Sequence, residues 1–178
     1  MASEQVLEVV VRRHVFTSER RFASALDGVF AGISQPDIGQ LFSRLAACTS
    51  YAEFTSVVHQ AQGSVGLMRF LRLDLDDALN IDPQAPDWAG RRLVRVIAGN
   101  PVTMGEMARH VADSGSYAPV TILLQEMPDD GTRVAYDTVA SAIASYHNAA
   151  ASEVAERLDA EVLGLLRQVT GVPASAPA

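Results

Sequence analysis

Pro119-Val120-Thr121-Ile122-Leu123-Leu124-Gln125-Glu126-Met127, then Pro128-Asp129-Asp130-Gly131, then Thr132-Arg133-Val134-Ala135-Tyr136-Asp137-Thr138-Val139 is the stretch that decides the fold. Two runs rich in β-branched and aromatic residues flank an Asp-Asp-Gly turn signal, and that combination predicts a β-hairpin. Side chains alternate between faces along a strand, so Arg133 and Asp137 share one face and Tyr136 takes the other.

Upstream, Arg91 to Ala98 predicts another strand, running into Gly99-Asn100-Pro101. Thr103-Met104-Gly105-Glu106 has the form of a capping box and opens a short helix with Met104, Met107, Ala108 and Val111 inward. Leu67 to Leu75 predicts a strand with Leu71, Leu73 and Leu75 facing in and Arg72, Asp74 and Asp76 facing out. Asn80 to Gly90, with Pro83 and Pro86, is expected to be a polar loop.

At the N-terminus, Val6 to Phe16 predicts a strand in which Leu7, Val9, Val11 and Val15 alternate with Glu8, Arg12 and His14. Thr17 or Ser18 is the expected cap of a helix whose stripe is Phe22, Ala25, Leu26, Val29, Phe30 and Ile33. Two helices follow, one after the start signal Ser34-Gln35-Pro36-Asp37 and one after the capping box Ser50-Tyr51-Ala52-Glu53. Gly63 and Gly66 then turn the chain. The last helix is expected from Ser152, with Val154, Leu158, Val162, Leu165, Leu166 and Val169 on one side.

Short links between neighbouring strands favour an antiparallel sheet, with the helices packed on one face. The fold class is α+β, as a single domain over residues 1–172. Residues 34–63 form an inserted helical pair, and residues 173–178 form a flexible tail.

The bulk numbers agree with a packed interior. The chain has 178 residues, 48% of them hydrophobic, enough for a core without staples. Its formal charge of −7 argues against nucleic acid and anionic membrane as partners, because both call for cationic surface. Cys48 is the only cysteine, so no internal disulfide forms, and a cytoplasmic location is expected. The first residues lack the basic and apolar regions of a secretory signal, and no apolar run reaches the ~20 residues of a membrane span.

All 14 basic residues are arginine. A lysine Schiff base, a P-loop lysine and a lysine general base are therefore excluded. G-x-G-x-x-G, G-x-S-x-G, H-E-x-x-H and C-x-x-C-H are missing too, which argues against Rossmann enzymes, α/β-hydrolases, zincins and c-type haem. No cofactor is expected. His59, His110 and His147 have no His or Cys at ligand spacing, so no metal site is expected either.

Three segments in order carry a resemblance: Leu93 to Pro101, ending in Gly99-Asn100-Pro101; Ala118-Pro119 to Glu126; and Asp130-Gly131 to Tyr136-Asp137. Together they resemble the family called domain of unknown function 302, most clearly from Arg91 to Tyr146 and again from Val6 to Ile33. The resemblance implies a compact domain with a curved antiparallel sheet, helices against it, and frequent pairing as a homodimer. It brings no agreed catalytic residues. Ser34 to Gly63 departs from the pattern, because the family is usually brief there.

Candidate site residues follow from chemistry. His14 shares a strand face with Arg12 and Glu8, and imidazole is the natural acid/base near neutral pH. Glu126 and Tyr136 are the other candidates for proton transfer. Arg12, Arg133 and Asp137 are candidates for orienting a polar substrate, with a cross-strand ion pair as the alternative. Asn100 either presents its amide to a ligand beside a helix start or serves a turn. Cys48 reads as a small buried hydrophobe.

Two functions fit this reading. One is a small-molecule binding protein, or a cofactor-independent enzyme, acting on an apolar or carboxylate-bearing small molecule in an apolar cavity between sheet and helices, with Phe42, Tyr51 and Phe54 as its lid or wall. The other is a homo-oligomeric interaction module without catalysis, with a homodimer as its form.

Overall fold

A computed structural model describes residues 2–88 and 90–174; residues 175–178 of the expected tail lie outside them. Five strands form one open sheet in the order β1-β5-β4-β3-β2. They are β1 (Arg13–Ser18), β2 (Met68–Asp74), β3 (Leu93–Gly99), β4 (Val120–Glu126) and β5 (Thr132–Asp137), and every neighbouring pair is antiparallel. The helices are α1 (Phe22–Gly32), α2 (Ile38–Ala46), α3 (Tyr51–Ala61), α4 (Asp76–Leu79), α5 (Pro101–Ala108), α6 (Val139–Ile143) and α7 (Ala149–Thr170).

The hairpin forms where its sequence places it. Asp130 adopts a left-handed φ of 63° at the turn, and the Met127 amide closes it by donating to the Gly131 carbonyl. In β3, β4 and β5, alternate side chains (Val94, Val96, Ala98, Val120, Ile122, Leu124, Val134 and Tyr136) are buried under helices. Above them run α1, led by Phe22, Leu26 and Val29, and α7, with Leu158, Val162, Leu165 and Leu166 facing down. No helix among the described residues is long and apolar enough to cross a membrane.

The two edge strands correct the expected phases. In β1 the buried residue is Phe16, with His14 half-buried on the same face, whereas Val15 is exposed. Residues 2–12 join no ladder. In β2 the pairing slips between Arg69 and Leu71, leaving Phe70 as an extra residue. That bulge reverses the phase, so Leu71 and Leu73 pair with Ile97 and Arg95 on the face away from the helices. Apolar residues occupy both faces of these edges, so alternation alone did not fix which face is covered.

Helix starts needed correcting as well. Arg21, without a side-chain cap, precedes α1 in place of Thr17 or Ser18. Asn100 caps α5 with Pro101 as its first residue, so the helix begins before Thr103. Asn148 caps α7, whose first residue, Ala149, is three residues ahead of the expected start. Asp37 and Ser50 cap α2 and α3 as their signals indicate. These two helices form the expected pair and close over a small core of their own, made by Leu41, Leu45, Val58 and Met68.

Candidate functional site

The proton-transfer candidates occupy two separate places. His14 lies directly across from Tyr136 in the β1–β5 ladder, on the face toward the helices. Glu126 is opposite Thr132, at the other end of β5, about 13 Å along the strand at ~3.3 Å per residue. Its Oε2 accepts from the Arg92 amide at 3.1 Å and lies 3.5 Å from the Arg92 guanidinium. Arg92 in turn covers the Phe22 ring at 4.3 Å. Glu126 thus orients an arginine that packs on the core.

Tyr136 is fully buried, and its hydroxyl donates to Asp159 Oδ1 at 2.5 Å. Burial first, and the Asp159 carboxylate second, push the phenol far above its ordinary pKa. Asp159, on α7, also accepts from the amides of Val139 and Ala140, each at 2.9 Å. Sequence reasoning missed this carboxylate, which ties β5, α6 and α7 together.

Asn100 uses its whole amide. Its Oδ1 accepts from Val102 and Thr103, and its Nδ2 donates to Gln62 Oε1 and the Gly66 carbonyl. Arg12 contributes its backbone, with its amide donating to Ser141 and its carbonyl accepting from Thr138. Arg133 lies opposite Gln125 and Thr17. Asp137 is held by Arg13, a residue the sequence reading had not chosen, through two bonds of 2.6 and 2.7 Å. That bidentate grip holds the Asp137 carboxyl below the ordinary carboxylate range. Cys48 is half-buried, and its thiol meets the Arg44 carbonyl at 3.3 Å.

The Arg13–Asp137 pair floors a hollow of about 490 Å³ on the uncovered face of the sheet, beside Arg95, Thr121, Leu123 and Ala135. A lowered folded-state pKa means that the pair's stabilisation is present above the ordinary carboxylate pKa. It is lost as pH falls through the lowered value. Arg13→Gln is expected to raise the Asp137 pKa toward its ordinary value. A carboxyl NMR titration reads this directly, and an unmoved pKa would refute the assignment.

At the end of the sheet, an apolar cavity of about 280 Å³ opens beside α2. Phe42 of α2 and Phe70 of the β2 bulge form one wall, and their ring centroids are 6.0 Å apart. Pro101, Met104, Pro119 and Leu158 form the other, with Thr103 as a polar group in the lining. Pro101 and Met104 also border a neighbouring groove of about 580 Å³, lined by Tyr51, Phe54, Val102 and Gly105 and ending at Arg109. Phe42 is 50% exposed at the edge of this cavity, and Tyr51 of the neighbouring groove is 60% exposed. Of the three aromatic residues expected as a lid or wall, Phe42 lines the cavity and Tyr51 and Phe54 line the groove, whereas Phe70 was not singled out from the sequence.

A crystal structure of an uncharacterised conserved protein of the DUF302 type from Bacillus stearothermophilus is similar to this chain. The TM-score is 0.52 with 10% sequence identity, over 88% of this chain and 97% of that one. At that identity the likeness speaks to the fold alone. No curated protein matches the chain. Residues 44–169 match the family described as domain of unknown function DUF302, a stretch that begins within α2 and takes in all of α3. The hairpin, the Asn-capped α5 and the helix-covered antiparallel sheet therefore belong to a chain that is a member of the DUF302 family.

Proposed function

We propose that the protein binds an amphipathic small molecule, an acyl or aryl-alkyl carboxylate, in the joined cavity and groove between the inserted helices and α5. The observation that carries this reading is the 280 Å³ apolar cavity walled by Phe42 and Phe70, which shares Pro101 and Met104 with the neighbouring groove that Arg109 lines. Apolar concavities with one convergent polar group are the usual form of such sites. Pro101 to Arg109 spans about 12 Å at ~1.5 Å per helical residue, which suits a medium-length chain. Its tail lies against the phenylalanines and its carboxylate meets the guanidinium.

The lining supports holding a molecule rather than transforming it. Thr103 and Asn100 are the polar residues of the cavity, and the Asn100 amide is already bonded on both sides. His14 and Tyr136 lie on β1 and β5, whereas the cavity draws on β2, β3 and the start of β4.

Calorimetric titration with decanoate and decanol tests the proposal. Both are expected to bind. Phe42→Ala, which removes a half-exposed ring, weakens both roughly tenfold, about 1.4 kcal/mol of apolar contact. Arg109→Gln weakens decanoate roughly threefold, as suits an exposed ion pair, and leaves decanol unchanged. Absence of heat with either ligand at millimolar concentration, or insensitivity to Phe42→Ala, overturns the site.

A further inference from the structure

The segment Val6-Leu7-Glu8-Val9-Val10-Val11 has strong strand propensity, yet the chain gives it no ladder. It leads directly into β1, whose own pairing begins at Arg13 opposite Asp137. Val6 and Val10 are each 82% exposed, and Leu7 and Val11 are exposed beside them. β1 is also an edge strand, so its outer row of backbone donors and acceptors has no partner strand in the sheet. A long apolar edge of this kind is a template for another strand.

We propose that this edge pairs with the same edge of a second copy. The two strands run antiparallel about a two-fold axis through Val10, so the arm and the first residues of β1 in each copy pair with the same stretch of the other, Arg13 facing Leu7 and His14 facing Val6. Backbone direction fixes the parity of the register. The Arg12 carbonyl and amide both point inward, to Thr138 and Ser141. Alternation then turns the backbone of Leu7, Val9, Val11 and Arg13 outward. Outward residues must face outward residues, so the axis passes through a residue position rather than between two.

Charge selects which residue lies on the axis. Centred on Val10, Glu8 of each copy faces Arg12 of the other, Val9 faces Val11, and Val10 faces itself. Centred on Glu8, the carboxylates would oppose each other. Centred on Val9 or Val11, Glu8 and Arg12 would each face a residue of no complementary charge or, for Glu8, a histidine. Among the described residues neither Glu8 nor Arg12 has an ion-pair partner within the chain. The register centred on Val10 supplies one to each, twice across the axis. It is isologous and closes at two copies, leaving no edge to propagate. No residue of the arm lines the cavity or the groove, so this inference and the ligand-binding reading stand or fall separately.

Sedimentation equilibrium of the full chain at micromolar concentration is the test, with circular dichroism as the control for folding. The wild type is expected to be a dimer. Val9→Pro removes an outward-pointing amide from an exposed arm, and a folded monomer is expected. Glu8→Arg and Arg12→Glu each weaken the dimer roughly tenfold, because like charges then face each other on both sides of the axis. The double swap restores wild-type association. A monomeric wild type, a dimer indifferent to Val9→Pro, or a double swap no tighter than the single ones each overturns the proposal.

Discussion

Replacing Asp159 with alanine is expected to remove about 3–5 kcal/mol of stability, read as a shift in the urea midpoint at constant slope. The carboxylate is 5% exposed and serves three donors: the Tyr136 hydroxyl and the first two amides of α6. Alanine would leave all three without their acceptor, and each buried polar group left unmatched costs about 1–3 kcal/mol, less where water enters. Tyr136→Phe removes one donor while the carboxylate keeps its two amides, so its cost is nearer 1–2 kcal/mol. A loss below about 1 kcal/mol for Asp159→Ala would show that α6 is held by other contacts.

The same pair predicts behaviour at alkaline pH. Burial and the Asp159 carboxylate raise the Tyr136 pKa in the folded state. A group with a raised folded pKa contributes stability that is complete below its unfolded pKa, about 10 for tyrosine. That contribution is lost as pH rises above this value. Wild-type stability should therefore fall more steeply above about pH 10 than that of Tyr136→Phe. Parallel urea curves on the two sides of that pH make the comparison, and identical slopes would contradict it.

Phe22→Ala has a comparable expected effect, about 3–5 kcal/mol, or a fall in Tm of roughly 10 °C for a chain of this size. Phe22 is fully buried at the head of α1, and the Arg92 guanidinium covers its ring. Truncation opens a cavity where α1 meets the sheet and strips Arg92 of its apolar support. Glu126→Gln, which only loosens the hold on Arg92, should cost less than about 1 kcal/mol. If the two variants were equally damaging, the charge on Glu126 would matter more than packing. Thermal melts of both distinguish these cases.

Much of the fold was legible because its signals are local. The α1 stripe, the Asp37 and Ser50 caps and the Asp130 turn all act within a few residues. The phases of β1 and β2 were not legible. A bulge at Phe70 and an apolar row on the uncovered face leave the two alternations nearly equivalent in sequence. Asp159 gave no signal either. It sits among Glu156, Arg157 and Glu161 on what reads as a solvated helix, and only the packing of α6 against α7 makes it interior. Arg13 and Asp137 are 124 positions apart, a meeting that depends on strand order. A cavity was an expectation of helices over a sheet, whereas the neighbouring groove with Tyr51, Phe54 and Arg109 in its lining depends on where α3 comes to rest.

The small core beneath α2 and α3 has a consequence for how this protein can change. Leu41, Leu45 and Val58 close on Met68 rather than on the main interior, so the aromatic wall stands on foundations largely its own. Substitutions at Phe42, Tyr51 or Phe54 alter the shape of the recess while the sheet and α7 keep their contacts. The outline of the recess is therefore free to vary with little risk to folding.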